Sequence, residues 1–259
     1  MDEVFFLGVK HMKEAIKEFA NYTNNYLDIG HDSKKKTDHS LRVMKLCEKI
    51  AKSLNLNEEE VFIATLCGVV HDIGRFEQLR RFNSFSDSNI DHGDLGEEIL
   101  KKNNYIKKYI QDDKYKSIVL NSVKNHNKLV VDDSLTDYEK MFCNIVRDAD
   151  KIDILALNII GEVGGVEIKE KFSDDVYNNL INKKTISKKD KKTKGDSKAV
   201  ILGFAFDINY KYSYEYLYEK GYFNKSIDVC IENSENIEFT NQLEEIRKVI
   251  NNYIEVKLC

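Results

Sequence analysis

The chain has no proline and no tryptophan among its 259 residues, and it has five cysteines. Without proline, helices can run long and unkinked, because no ring blocks a backbone hydrogen bond. The cysteines form no CxxC pair, and Cys47, Cys67 and Cys143 lie within apolar helical patterns. This odd, scattered set predicts small buried side chains in a reducing compartment and argues against disulfides or a zinc knuckle.

The chain also lacks a strong net charge and a long apolar run. Its 40 basic and 44 acidic side chains give a formal net charge of −4, which provides no general electrostatic surface for nucleic acid. No stretch of about 18 apolar residues occurs, and the N-terminus lacks a basic leader. With 42% hydrophobic and 32% charged residues, the composition predicts a globular, cytoplasmic protein without a nucleic-acid or membrane partner.

Apolar residues recur at helical spacing through almost the whole chain, which predicts an all-α fold. One helix is predicted to begin with Thr37 or Asp38 as its N-cap, after a solvated polar loop that contains His31. Residues 57–73 are apolar on nearly every side and predict a central helix that Gly74 can terminate. Further helices are predicted at about residues 93–104, 113–126, 137–160, 209–220 and 236–257.

Two polar stretches, residues 81–94 and 183–198, are rich in Ser, Asn, Asp or Lys and predict surface loops. Residues 199–208 fit either a buried strand or a buried helix, and we favour the helix. The chain shows no internal repeat and no clear boundary. We therefore predict one helical domain over the whole chain, a helical bundle with a core at about 35–160 and a helical C-terminal extension at about 161–259.

The most informative pair of residues is His71-Asp72, which follows the most apolar stretch of the chain, VFIATLCGVV. Two ligand-type side chains at the end of a buried helix lose their hydration. That loss is tolerable only when the side chains are paired or coordinated. A second His-Asp pair, His31-Asp32, has no apolar helix leading into it, so its side chains are predicted to be solvated.

Four histidines in all lie at positions that predict a shared site: His39, His71, His92 and His126. A later apolar helix carries three acids: Asp148, Asp150 and Asp153. One inward histidine is usually a satisfied core residue, but four of them beside buried acids are hard to satisfy separately. Imidazole and carboxylate together suit Mn, Fe, Ni, Co or Zn, and a helical bundle brings such ligands together from several helices.

The residues His39, His71-Asp72 and Asp150 occur in the order H…HD…D, within the strings HSLRV, HDIGR and DADKIDIL. These strings resemble the motif blocks of the HD-domain superfamily of metal-dependent phosphohydrolases. The resemblance implies an all-helical fold and one metal ion bound by His39, His71, Asp72 and Asp150. Asp148 is the alternative to Asp150 as the acidic ligand.

The resemblance extends to His92 and His126, which match the additional histidines of a dinuclear subgroup of that superfamily. It implies that Asp72, as the catalytic aspartate, bridges two metal ions and that His92 and His126 hold the second ion. The ions implied are divalent transition metals, namely Mn, Fe, Ni, Co or Zn, and Mg is a further option.

A phosphate substrate also needs cations, and three basic residues are candidates. Arg75 directly follows HDIG and could pair with two phosphate oxygens, while the resemblance implies a phosphate contact for Lys151, which follows Asp150. The alternatives are a helix-end cap for Arg75 and a surface position for Lys151. Arg42, one turn after His39, could reach the site or pair with one of its acids.

These observations predict a phosphohydrolase that cleaves a phosphate ester or anhydride, with a nucleotide as the favoured substrate, by means of a metal-bound hydroxide. Two alternatives stay open at this point. One is a di-iron oxygenase on the same scaffold, and the other is a module that senses a nucleotide without turnover. The presence of every ligand type favours an enzyme over the sensing module. The sequence leaves the exact substrate, the metal and the oligomeric state open.

Overall fold

A computed structural model describes residues 2–163 and 170–259, and within these ranges the regular structure is helical, without strands. The predicted all-α fold is confirmed. The α-helices are α1 (Asp2–Asn24), α2 (His31–Ser53), α3 (Glu58–Val70), α4 (Ile73–Phe82), α5 (His92–Lys101), α6 (Lys116–Asn125), α7 (Asp137–Ile159), α8 (Asp174–Ile181), α9 (Asp196–Leu202), α10 (Lys211–Lys220), α11 (Tyr222–Glu232) and α12 (Ile237–Leu258). None of the described helices is long and apolar enough to cross a bilayer.

The chain divides into two compact units, Met1–Asp150 and Lys151–Cys259. Compactness alone does not show which segments fold independently. The expected organisation, one helical domain with an extension from about residue 161, therefore stays a prediction.

The core of the first unit is centred on α3, against which α1, α2 and α6 pack. Helix α2 contributes the fully buried stripe Val43, Cys47 and Ile50, at the spacing of one helix face. A Cβ added at Gly68 of α3 would lie 2.8 Å from Sγ of Cys47. The glycine thus allows the two helices to approach closely, and the cysteine is buried and free, as the sequence predicts.

Helix α2 begins at His31, so the loop predicted before Thr37 or Asp38 is wrong. Gly30 separates α2 from the preceding 3-10 turn at Leu27–Ile29, and its φ of +90° favours glycine. The lysine run that follows is polar because it lies on a mostly solvated part of a helix, and lysine is a good helix former. Asp32 is exposed, as predicted for this second His-Asp pair.

The central apolar segment forms two helices instead of one. Helix α3 ends at Val70 and α4 begins at Ile73, with His71 and Asp72 at the break. Gly74 lies inside α4, so the prediction that it terminates the helix is wrong. A Cβ at Gly74 would lie 2.2 Å from the backbone oxygen of His92. Because Gly74 has no Cβ, α5 can pack closely against α4. Helical periodicity alone does not reveal this role.

The second unit is built around α12, which packs against α8, α10 and α11. The helix favoured for residues 199–208 is confirmed, because α9 is followed by a 3-10 turn at Gly203–Phe206. The buried face of α12 consists of Phe239, Leu243, Ile246, Ile250 and Ile254.

The lysine-rich tract at 183–198 carries one short 3-10 turn before α9 begins, and a buried carboxylate anchors it. Asp196 accepts hydrogen bonds from the backbone nitrogens of Ser173, Lys192 and Thr193 and from the Ser173 hydroxyl. Burial by itself raises the pKa of Asp196, but these donors outweigh burial and lower it.

Candidate metal centre

The break between α3 and α4 places His71 and Asp72 in a buried polar cluster of the first unit. Each histidine of the cluster is at most 4% exposed, and Asp72 is 3% exposed. The cluster draws its side chains from five places in the fold: His39 of α2, His71 and Asp72 at the break, His92 at the start of α5, His126 directly after α6, and Asp150 of α7.

One oxygen of Asp72 faces the first pair of histidines. Its Oδ2 atom lies 3.6 Å from Nε2 of His39 and 3.7 Å from Nε2 of His71. Oδ1 of Asp150 lies 3.1 Å from the same His39 nitrogen and 3.7 Å from that of His71. The two Nε2 atoms are 3.3 Å apart. Two imidazoles and two carboxylates thus converge on one small volume.

The other oxygen of Asp72 faces the second pair. Its Oδ1 atom lies 3.4 Å from Nε2 of His92 and 3.5 Å from Nε2 of His126. These two nitrogens are 3.0 Å apart. Asp72 therefore offers one oxygen to each pair of histidines, which is the geometry required of a bridging carboxylate.

Hydrogen bonds at the far side of the rings define which nitrogen faces the cluster. Nδ1 of His71 is 2.8 Å from the carbonyl of Gly68, and Nδ1 of His126 is 2.7 Å from the carbonyl of Val123. A carbonyl can only accept, so each Nδ1 carries the proton and each Nε2 presents a lone pair to the cluster. The tautomers follow from these partners.

The residues fit a divalent metal ion. Nδ1 of His92 donates to Oδ1 of Asp87 over 2.6 Å, so Nε2 of His92 also presents a lone pair. It faces the lone pair of His126 at 3.0 Å, with no proton between them. Two buried lone pairs at that distance repel unless a cation lies between them, and neutral imidazole is the commonest protein ligand for such a cation.

The two acids of the cluster are ionised at neutral pH. Burial by itself raises the pKa of Asp72, but the charge of Lys36 is the largest of the opposing effects that hold the pKa well below its usual range. Burial likewise raises the pKa of Asp150, but the hydrogen bond with His39 over 3.1 Å is the largest of the effects that hold the pKa well below its usual range.

Two of the histidines, His71 and His92, have a lowered pKa and therefore stay neutral. Burial lowers the pKa of His71, although Asp72 opposes it. Burial and the nearby charge of Arg75 lower the pKa of His92 to about 3. Neutral imidazoles beside ionised carboxylates are the protonation states in which a site binds metal without first releasing protons.

Asp87 is a residue that the sequence analysis missed. Its Oδ1 atom holds Nδ1 of His92 and also accepts from Nη1 of Arg75 over 3.0 Å. A carboxylate behind a ligand histidine fixes the ring and raises its basicity as a ligand. The signal in the sequence was an acid in the polar loop five residues before His92, which many solvated loops also carry.

Arg75 lies beside the cluster and also fixes the loop after α4. Its Nη1 atom donates to Oε1 of Gln78 over 2.8 Å and to the carbonyl of Phe85 over 2.6 Å. Its Nε atom is 3.6 Å from Oδ1 of Asp72 and has no hydrogen-bond partner. Arg75 thus joins α4 to the loop that follows it, and both its phosphate contact and the alternative of a helix-end cap stay predictions.

The remaining candidates occupy different surroundings. Lys151 is 7% exposed, which excludes the alternative of a surface lysine, and it forms a 3.0 Å ion pair with Asp207 within the second unit. Its predicted phosphate contact stays a prediction. Asp148 is fully buried, and Asp150 is favoured as the ligand because its Oδ1 atom lies 3.1 Å from Nε2 of His39. Arg42 lies on an exposed part of α2.

Residues 37–158 match the family model described as the HD domain. Together with the histidine and aspartate cluster, this match shows that residues 37–158 form an HD domain, and the resemblance predicted from the motifs is confirmed. The family has a helical fold, binds divalent metals and consists in general of metal-dependent hydrolases. No curated protein and no solved structure matches the chain.

Asp91 ties together the two segments that carry His92 and His126. Its Oδ1 atom caps α5 by accepting from the nitrogens of Gly93 and Asp94, and it also binds Nδ2 of Asn127 and Nζ of Lys128. Burial raises the pKa of Asp91, but Lys128 and the backbone donors outweigh this and lower it to about 2.

A folded-state pKa of about 2 against an ordinary value of 3.8 means that Asp91 stabilises the fold fully above about pH 4 and progressively less towards pH 2. We expect Asp91→Asn, which keeps one acceptor, to lower the free energy of unfolding by about 1–2 kcal/mol at pH 7, after allowance for its partial exposure. Urea denaturation at several pH values should show the difference shrinking below pH 4. The exposed Asp94→Asn is the control, and a difference that does not change with pH would contradict this account.

Proposed function

We propose that the protein is a metal-dependent phosphohydrolase that cleaves a phosphate ester or anhydride of a small molecule, with a nucleotide as the favoured substrate class. The observation that carries this proposal is that the two carboxylate oxygens of Asp72 face different pairs of histidines. One of its oxygens faces His39 and His71, and the other faces His92 and His126. An arrangement of this kind suits two cations a few ångströms apart, as two-metal phosphoryl chemistry requires.

The ligands divide between two positions that share Asp72. His39, His71, Asp72 and Asp150 would hold one ion, and Asp72, His92 and His126 would hold the other. When bound, such ions supply hydroxide from water near neutral pH and offset the charge that develops on phosphate. Within the chain, Asp87 and two backbone carbonyls orient the imidazoles, and burial excludes bulk water from the cluster.

The donor set also bears on the metal and on the predicted partners. Four imidazoles favour Mn, Fe, Ni, Co or Zn, because Mg prefers oxygen ligands and retains its water. Mg stays an option for the position that includes Asp150. The cytoplasmic location, the small-molecule phosphate substrate and the lack of nucleic-acid or membrane partners stay predictions.

A di-iron oxygenase is the second candidate, because the same set of imidazoles and carboxylates suits iron. The two candidates differ in what they consume. A phosphohydrolase releases phosphate without using oxygen, whereas an oxygenase consumes oxygen and needs iron. The sensing module is less favoured, since every ligand type is present in the cluster.

The experiment that tests the proposal is a phosphate-release screen. Metal-stripped protein is reloaded separately with Mn, Fe, Ni, Co, Zn and Mg and offered nucleoside phosphates, sugar phosphates and an aryl phosphate. We expect release of phosphate with at least one transition metal and none from an Asp72→Asn preparation treated in the same way. Oxygen consumption by the iron form, without phosphate release under any condition, would favour the oxygenase instead.

Arg75 provides a further test of the phosphate chemistry. A charge-assisted contact to phosphate contributes roughly 1.5–3 kcal/mol, so Arg75→Ala should lower kcat/KM by about 10- to 150-fold. Arg75→Lys should recover only part of this loss, because an ammonium does not reproduce a two-pronged guanidinium contact. Metal analysis of the same variants is the control. Loss of metal in Arg75→Ala would show that the residue acts by holding Asp87 and the loop.

A further inference from the structure

Lys36 lies at the edge of the metal centre, on α2, one turn before His39 and on the same face of the helix. Its ammonium nitrogen is 2.9 Å from Oδ2 of Asp72, and its side chain keeps 25% of its accessible surface while that of Asp72 keeps 4%. The same nitrogen lies 5.4 Å from the centre of the Phe85 ring. Lys36 therefore pairs with a buried carboxylate while part of its side chain is exposed to solvent.

The two cations nearest to Asp72 are held in different ways. Nη1 of Arg75 donates to Gln78, Phe85 and Asp87, so the guanidinium is fixed by the loop after α4. Among the described residues, the ion pair of Lys36 is with Asp72 alone. The lysine stem is flexible, so its ammonium can turn to another anion while the loop stays in place.

The charge of Lys36 balances Asp72 only while no metal ion shares that carboxylate. The ammonium of Lys36 would be repelled by a cation that His39 and Asp72 hold between them, because like charges a few ångströms apart repel strongly in a partly buried site. The exposed side of Lys36 faces solvent, from which an anionic substrate arrives. A bound metal ion would therefore release the ammonium of Lys36 from Asp72 and leave it beside an incoming anion.

We propose that Lys36 is a substrate-binding residue, paired with Asp72 in the metal-free protein and with the phosphate group of the substrate in the metal-loaded protein. This inference rests on the proposed phosphohydrolase function and deepens it. The residue stands outside the motif strings, in a lysine run whose polarity alone suggests only a solvated surface.

The test measures two affinities that are expected to move in opposite directions. Lys36→Met keeps a long side chain and the helix propensity but removes the charge. Titration calorimetry of metal-stripped protein with Mn²⁺ should show binding tighter by about 2- to 10-fold, because a competing ion pair is gone. Titration of the Mn²⁺-loaded protein with inorganic phosphate should show binding weaker by about 10- to 100-fold, with a matching rise in KM.

The lysine run provides a matched control. Lys35→Met lies beside Lys36 on an exposed part of the same helix, and it should change neither affinity. Lys36→Arg should restore near-normal Mn²⁺ binding and part of the phosphate affinity. Circular dichroism checks that each variant folds. If Lys36→Met does not fold, Lys36→Gln replaces it as the uncharged variant.

Opposite shifts of the two affinities support the inference. Weaker binding of both Mn²⁺ and phosphate would mean that Lys36 only maintains the structure of the site, which overturns it. Normal phosphate affinity in Lys36→Met, with active wild-type protein, overturns the inference but leaves the phosphohydrolase proposal intact. A wild-type protein that neither binds phosphate nor hydrolyses any phosphate compound overturns both.

Discussion

Replacing Asp72 by alanine or asparagine is expected to reduce bound metal from about two ions per chain to nearly none and to abolish phosphate release. One oxygen of Asp72 faces His39 and His71 and the other faces His92 and His126, so its loss weakens both positions together. Two-metal phosphoryl transfer depends on the ions for the nucleophile and for charge stabilisation. Elemental analysis of protein purified under identical conditions measures the metal, and phosphate release measures the activity.

The second His-Asp pair provides the matched control for this experiment. Asp32 has the same dipeptide context but is exposed, so Asp32→Asn should keep both metal and activity. The asparagine variant at position 72 guards against a trivial loss through unfolding, since it keeps the size of the side chain. Equal metal content in wild type and Asp72→Asn would overturn the site assignment as a whole.

Much of the site was predictable because the information is local. The apolar run before His71 marks a buried helix, and burial of His71 and Asp72 demands a partner. His39 follows from the same kind of reasoning, since it lies one turn before Val43 on an apolar face and is 2% exposed. Residues whose role follows from their own helix face can thus be inferred without knowing how the helices pack.

Residues that depend on contacts between elements could not be predicted in this way. Asp87 reaches His92 only because the loop after α4 folds back on the start of α5. Lys36 gains its role because α2 starts earlier than its polar residues suggest. Gly74 has the local signature of a helix end, yet it serves the close approach of α5. In each case the deciding contact joins two different elements of the fold, so it depends on how those elements pack.

His92 and His126 form the second position of the centre, and replacing either one by alanine should leave about one metal ion per chain. Their Nε2 atoms face Oδ1 of Asp72 at 3.4 and 3.5 Å, while His39 and His71 face Oδ2. Loss of one imidazole therefore removes a ligand from one position only. Activity should fall by 10-fold or more, because both ions take part in two-metal chemistry.

The histidine variants are best compared with His11→Ala, because His11 is an exposed histidine of α1. That control should keep two ions and full activity. Mn²⁺ titration of His92→Ala and His126→Ala should lose the weaker binding step and keep the tighter one, which the group of His39, His71 and Asp150 would provide. Two ions and full activity in both variants would instead define a mononuclear site, with His92 and His126 as core or substrate-contacting residues.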